Sequence, residues 1–304
     1  MTSAELEERV APVEESVPGA SLTTGTKGTA AGTELDDLSP LGSGRRYRET
    51  WKLWQGRVLR VAVPLGLIAL WQLTSTLGWV SEYTLPPPSS ILAAYGELWD
   101  NGDLQSALPV SLQRAAIGLF FGITIGLTLG LFAGLWRIGE QIFDAPLQML
   151  RTIPFIAVVP LFISWFGIGE EPKLILIAAA TVFPVYLNTY HGVRGVDKKL
   201  IEAGQIFGLS GTRLATRIIL PTALPSALTG IRYASGVALL ALVLAEQINA
   251  HEGIGYILNN ANQNQRPDIV IAGILVYALL GIALDIIMRF VERLALPWRP
   301  RVTI

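Results

Sequence analysis

Two ionisable side chains stand inside long apolar runs, where a charge is expensive: Arg151 within 141–166 and Glu246 near the end of 228–250. A charge at the centre of a bilayer costs roughly 2.5–3.5 kcal/mol on insertion scales, so both should face protein or water. Two chemistries are open to them. Either they line a polar path, Arg151 attracting an anion, or they serve as a buried structural pair or an interfacial anchor. A span beginning at Ile153 would hold too few apolar residues to cross, so Arg151 lies at membrane depth or beside a break at Pro154. Asp144, seven residues earlier, shares its face, while Asp285 and Arg289 are spaced as an intrahelical ion pair. Catalysis has little footing. His191 and His251 are the two histidines, His251-Glu252 is followed by no second histidine, Gly-x-Ser-x-Gly is absent, and there is no cysteine. The chemistry to expect is passage of a solute, and the chain reads as no enzyme, with no metal and no cofactor of its own.

The elements that would hold these residues are helices. The chain has 304 residues, 51% hydrophobic and 15% charged, against roughly 25% charge in a soluble domain. Six runs are long enough to cross a bilayer: 61–80, 112–136, 141–166, 174–190, 228–250 and 268–290. None alternates with period two as a membrane barrel would, so helices must satisfy the backbone in lipid. The expected fold is an all-α integral membrane domain over 61–298 with six transmembrane helices. In the second run Gly118, Gly122, Gly126, Gly130 and Gly134 recur every fourth residue. Such a row lets another helix approach closely, and its drift of about 40° per step favours a partner that wraps around the span.

Residues 1–44 carry eight acids, two bases and no aromatic residue, a composition expected to stay disordered. A basic segment, 45–60, follows. Lys and Arg concentrate there, in 191–227 and at the C-terminal end, with 299–304 as a short tail. The positive-inside rule then places both termini and the 191–227 loop in the cytoplasm.

That loop, 194–221, holds the most specific pattern in the chain. Glu202-Ala203-Gly204, three residues, Gly208-Leu209, then Ile218-x-Leu220-Pro221 forms a polar, basic insert between apolar runs. Leu200 to Phe207 should be helical, with Glu202 near its N-terminal end, where an acid suits the helix dipole. Gly208 and Gly211 should turn the chain, and Ser210 or Thr212 should cap a second helix through Arg213 and Arg217. Pro221 and Pro225 should close it before the fifth span. Ala203 and Gly204 would let another surface approach the backbone. A second reading is an amphipathic helix lying on the lipid surface.

The pattern resembles the "EAA" loop of permease subunits in binding-protein-dependent ABC importers, with Gly204 where the family usually has Ala. Longer strings are similar to the nitrate, sulfonate and taurine branch: Leu85-Pro-Pro-Pro-Ser-Ser-Ile-Leu92, Arg151-Thr-Ile-Pro154, Pro160 to Glu170, Phe183 to Gly192, Leu244-Ala-Glu-Gln247 and Gly253-Ile-Gly-Tyr256. The stretch Asn262–Asp268 departs from the sulfonate pattern. The resemblance implies a homodimer of six-helix subunits in the bacterial inner membrane and an extracytoplasmic substrate-binding protein. It also implies a separate ABC ATP-binding subunit that holds the ATP and receives the coupling residues Glu202, Ala203, Gly204, Gly208, Leu209, Ile218 and Pro221. Asn188 and Gln247, within these strings, join Arg151 and Glu246 as candidate path residues. An aliphatic sulfonate is the expected solute, with taurine, nitrate or bicarbonate as alternatives and a self-sufficient secondary transporter as a more remote one. Nucleic acid is not an expected partner.

Overall fold

The computed structural model describes residues 59–60, 62–150 and 153–298. The expectations for 1–44, for most of 45–60, for 299–304 and for Arg151 fall outside the described residues. Within them the chain is helical throughout: α1 (Ala62–Thr76), then α2 (Pro88–Asp100), α3 (Asp103–Leu135), α4 (Arg137–Leu150), α5 (Phe155–Phe166), α6 (Glu171–Arg194), α7 (Lys198–Ile206), α8 (Gly211–Leu214), α9 (Leu220–Asn249), α10 (Ile254–Gln263) and α11 (Pro267–Ala295).

Among the described residues, four helical stretches are long and apolar enough to cross a membrane: Asp103–Leu135, Glu171–Arg194, Gly211–Ile248 and Pro267–Ala295. At 1.5 Å per residue even the 24-residue α6 exceeds the roughly 30 Å hydrocarbon core. Two expected runs differ. The run 61–80 contains a shorter helix, α1. The run 141–166 is two helices rather than one, α4 and α5, with Pro154 as the N-cap residue of α5. Proline has no N–H and disfavours helical backbone in the residue before it, which favours a restart there. Pro146 and Pro160 stay inside their helices. The segment 81–111, expected as a loop, holds α2 and the first two turns of α3, whose start lies well before 112.

The core forms where α3, α6 and α9 meet, through Ala115, Ile177, Ala180, Ala238, Leu239 and Leu242, with α11 contributing Tyr277, Leu280 and Leu284 at its edge. Small residues set the spacing. The glycines of α3 lie against a second row on α6 that also steps by four: Ile177, Thr181, Val185, Thr189, Val193. A Cβ built on Gly118, Gly126, Gly130 or Gly134 would stand 2.6–2.7 Å from the Cβ of its partner, and one on Gly122 would overlap Thr181 Oγ1. Each α6 side chain therefore occupies the space a side chain on α3 would need, and two rows with the same step stay in register over four turns.

The turn beyond α6 also departs from expectation. Pro221 and Pro225 do not close a second helix. Gly211–Ile248 runs on as one stretch, with a π-turn at Ala215–Ile219. Pro221 offers no N–H to the carbonyl one turn back, and the widened turn keeps that carbonyl clear of its ring.

Short elements close the bundle at opposite ends. α2 and α10 lie at the end where α9 finishes and α11 begins. They join the bundle through Tyr95 Oη, which donates to Ala272 O at 2.8 Å, and through Ile254 and Leu258, which pack on Ala107 and Val276. α7 and α8 lie at the other end, between α6 and α9.

Candidate functional site

The end that carries α10 is held by a buried ionic cluster centred on Arg114 of α3. Its guanidinium donates from Nε to Glu170 Oε2 at 2.6 Å and from Nη2 to Glu170 Oε1 at 2.7 Å, a two-pronged grip. Nη1 donates to Glu246 Oε1 at 2.8 Å and to the Glu252 carbonyl at 2.6 Å. Lys173 Nζ adds a bond to Glu170 Oε1 at 2.8 Å. Glu246 has no exposed surface, and Arg114 and Lys173 retain 5% each. A lone buried charge would cost several kcal/mol, but here two cations meet two anions and the Arg114 guanidinium makes four hydrogen bonds.

Glu246 also organises α10. Its Oε2 accepts from the Gly255 N–H at 2.9 Å and from Tyr277 Oη at 2.9 Å, and Ser111 Oγ lies 2.8 Å from Oε1. Ser111 Oγ in turn accepts from the Ile254 N–H at 2.9 Å. The first N–H groups of α10 thus end on a carboxylate and a hydroxyl, where the helix dipole favours negative charge. The approach needs glycine. Gly253 has φ +114°, and a Cβ there would stand 2.5 Å from Glu246 Oε1 and 2.8 Å from Arg114 Nη1. A Cβ on Gly255 would overlap Glu246 Cβ.

Glu170, in the turn between α5 and α6, is the exposed member, its side chain 55% accessible. The Arg114 hydrogen bonds, helped by Lys173 and opposed by desolvation, hold its carboxyl at about 2, below the usual 4.5. Because the folded value is the lower one, this ionisation stabilises the fold above pH about 4.5, and that contribution drains away as pH falls towards about 2. Melting curves of the purified chain should therefore lose part of their midpoint across that window. Glu170→Gln should start lower at pH 7 and fall less over the same range. A wild-type profile parallel to that of the variant would count against the pairing.

At the other end the α7–α8 turn carries the sequence-defined residues. Asp197 caps α7, accepting from the Lys199 N–H at 2.9 Å. Glu202 therefore sits at mid-helix rather than at the N-terminal end. Gly208, at φ +78°, turns the chain out of α7, and Ser210 occupies the next N-cap position in extended backbone without a side-chain cap bond. Gly204 is buried and faces inward: a Cβ there would overlap Ile218 Cδ1 and lie 3.0 Å from Leu214 Cδ1. The departure from Ala thus lets α7 close on its own π-turn. Ala203 and Leu209 are half-buried, as are Ile218 and Pro221 within the rising helix, and Glu202 is exposed. Side chains that pattern reasoning passed over project farthest: Ile206 is 84% exposed and Phe207 86%.

Next to this turn, α4 is bonded to α6. Glu140 accepts from Tyr190 Oη at 2.6 Å and from Arg194 Nη2 at 2.5 Å, and Asp144 lies 3.5 Å from Tyr186 Oη. Asp285 and Arg289 form their pair at 2.7 Å, and Arg232 of α9 forms ion pairs with Asp285 at 3.4 Å and Glu292 at 2.9 Å.

Of the four candidate path residues, Arg151 lies outside the described residues, and the other three are not brought together as a set. Glu246 is saturated inside the Arg114 cluster. Gln247 is its half-buried neighbour in sequence. Asn188 lies farther along the bundle on α6, bonded to the Pro184 carbonyl at 2.8 Å and packed on Gly230. Sequence reasoning missed Arg114, Ser111, Lys173 and Tyr277 as a group. The available signal was Arg114 and Lys173 themselves, two cations inside or beside apolar runs at the end otherwise poor in Lys and Arg.

A family model described as "Binding-protein-dependent transport system inner membrane component" matches residues 122–296. The chain is 46% identical over 249 residues to the aliphatic sulfonates transport permease protein SsuC of Escherichia coli (strain K12), covering 82% of this chain and 95% of that one. Identity to the SsuC protein of Bacillus subtilis (strain 168) is 43% over 237 residues, covering 78% and 86%. A crystal structure of a bacterial ABC transporter involved in the import of the acidic polysaccharide alginate superposes with a TM-score of 0.55 at 13% identity, covering 82% of this chain and 98% of that one, a likeness of fold.

Proposed function

Because this chain belongs to the family of binding-protein-dependent transport system inner membrane components, we propose that it forms the membrane pathway of an importer for an aliphatic sulfonate. ATP is bound and hydrolysed by a separate subunit, and an extracytoplasmic binding protein delivers the solute. One observation carries the substrate: 46% identity along 95% of a relative named for aliphatic sulfonates.

In this reading α1, α3, the α4–α5 pair, α6, α9 and α11 make six crossings. The end bearing α7 faces the cytoplasm, as its Lys and Arg content favours, and the Arg114 end faces outward. The α7–α8 turn docks on the ATPase, with Glu202, Ala203, Gly208 and Leu209 at its rim and Gly204, Ile218 and Pro221 bracing it from behind. The break between α4 and α5 falls at membrane depth, where interrupted backbone is tolerated against protein or water but not lipid. A second copy of this chain, with the pathway between the two, supplies that cover.

A strain lacking the gene should fail to grow on alkanesulfonates as sole sulfur source, grow normally on sulfate, and recover on complementation. Failure confined to taurine would move the solute to that sulfonate, and failure on nitrate or bicarbonate would move it out of the class. Normal growth on every source would sink the substrate reading.

A further inference from the structure

Glu170 occupies its place as an anion would. Three charge-assisted donors converge on it, Arg114 Nε, Arg114 Nη2 and Lys173 Nζ, all at 2.6–2.8 Å. The cations are buried and the carboxylate is more than half exposed. Arg114 does not depend on Glu170 for its orientation, because Nη1 is fixed separately by Glu246 and the Glu252 carbonyl. The backbone of Glu170 is tied in turn, its carbonyl accepting from the Leu174 N–H at 3.1 Å as α6 begins. Rotation of the side chain alone would swing the carboxylate into solvent and leave the two-pronged face of Arg114 and the Lys173 ammonium converging on one space. With Glu246 still in place, that space carries one uncompensated positive charge.

We propose that Arg114 and Lys173 form a seat for the sulfonate group of the transported solute, and that Glu170 is its resident occupant, displaced when the solute arrives. This rests on the reading of the chain as a sulfonate permease. The exchange leaves the charge of the seat unchanged, one monoanion replacing another. The donor count favours the newcomer. A carboxylate has two oxygens, so Oε1 is shared between Arg114 Nη2 and Lys173 Nζ, whereas a sulfonate offers a separate oxygen to each of the three donors. Arginine's fork matches such planar pairs of oxygens, and the lysine supplies a mobile third point. The low exposure of both cations keeps the contacts from being screened by salt.

The test uses the full chain, purified in lipid nanodiscs in a sulfonate-free buffer, with methanesulfonate as the probe and binding read by calorimetry. Glu170→Ala should bind methanesulfonate at least ten-fold more tightly than the wild type, and Glu170→Ala with Lys173→Gln should lose that gain. Glu170→Gln should fall between wild type and Glu170→Ala, and serves if the alanine variant does not fold. Equal affinity in wild type and both Glu170 variants would overturn the seat, as would a gain that survives the loss of Lys173. Tight binding of nitrate without methanesulfonate would overturn its sulfonate preference. The growth experiment is independent. Failure there with methanesulfonate bound by Glu170→Ala would remove the physiological substrate and leave the seat standing.

Discussion

Arg114→Met is expected to destabilise the bundle by about 3–5 kcal/mol, the cost of breaking a buried pair from one side. Methionine fills much of the volume and leaves the Glu246 carboxyl group with no exposed surface and no cation. It also releases the Glu252 carbonyl and the two-pronged bond to Glu170. For a chain of this length the loss corresponds to roughly 5–8 °C in melting temperature. The diagnostic measurement is the double variant. Adding Glu246→Gln removes the stranded carboxyl but keeps an acceptor for the Gly255 N–H and the Ser111 hydroxyl, so it should recover half or more of the lost midpoint. Hydrogen exchange should show α10 opening first, because Glu246 and Ser111 hold its opening N–H groups. A midpoint within 2 °C of wild type for Arg114→Met would mean that the cluster contributes nothing net, and the account of this end would fail.

That cluster marks where the sequence stops being readable. The apolar runs announce helices because lipid offers the backbone no other partner, and the glycine row announces a close-packed seam because nothing but a neighbouring backbone or side chain needs every fourth Cβ removed. The partner could not be named. Ile177, Thr181, Val185, Thr189 and Val193 repeat with the same step, but one apolar row on a membrane helix looks like any other until its register is known. Glu246 was conspicuous as a charge in an apolar run, yet its partners lie 132 and 135 residues away in Arg114 and Ser111, and Tyr277 sits on yet another helix. No local pattern encodes a contact made by the meeting of five chain segments.

Proline alone does not locate a break. Pro154 precedes a new helix, but Pro225, expected to close one, is carried inside α9, as Pro160 and Pro184 are inside α5 and α6. The difference is the surroundings. Packed neighbours can hold a helix through one missing hydrogen bond, and a π-turn can absorb a proline ring. Gly204 is a second case. Its small size suggested room for another surface, whereas the structure uses the missing methyl to seat Ile218 and Leu214 against α7.

The second large effect should come from the α7–α8 turn. Ile206→Ser with Phe207→Ser is expected to weaken association with the ATP-hydrolysing subunit by roughly a hundred-fold or more and to abolish transport. Both side chains project almost fully into solvent, so the substitutions remove little contact within the chain, and its melting temperature should stay within about 1–2 °C of wild type. Burying such a side chain in a partner's groove contributes about 1.5–3 kcal/mol, and aromatic anchors dominate interfaces of this kind. Two of them together are worth a hundred-fold at the low end, since each 1.4 kcal/mol is a factor of ten. The bracing beneath matters as much. Gly204→Leu keeps both anchors but forces α7 away from Ile218 and Leu214, and should give the same loss of association together with a lowered melting temperature. Pull-down of the ATPase in detergent separates docking from a lipid-surface role, because no bilayer is present to hold the two anchors. Full retention of the ATPase by the double serine variant would show that Ile206 and Phe207 face lipid, and the joint would have to be sought along Glu202 and Gln205 instead.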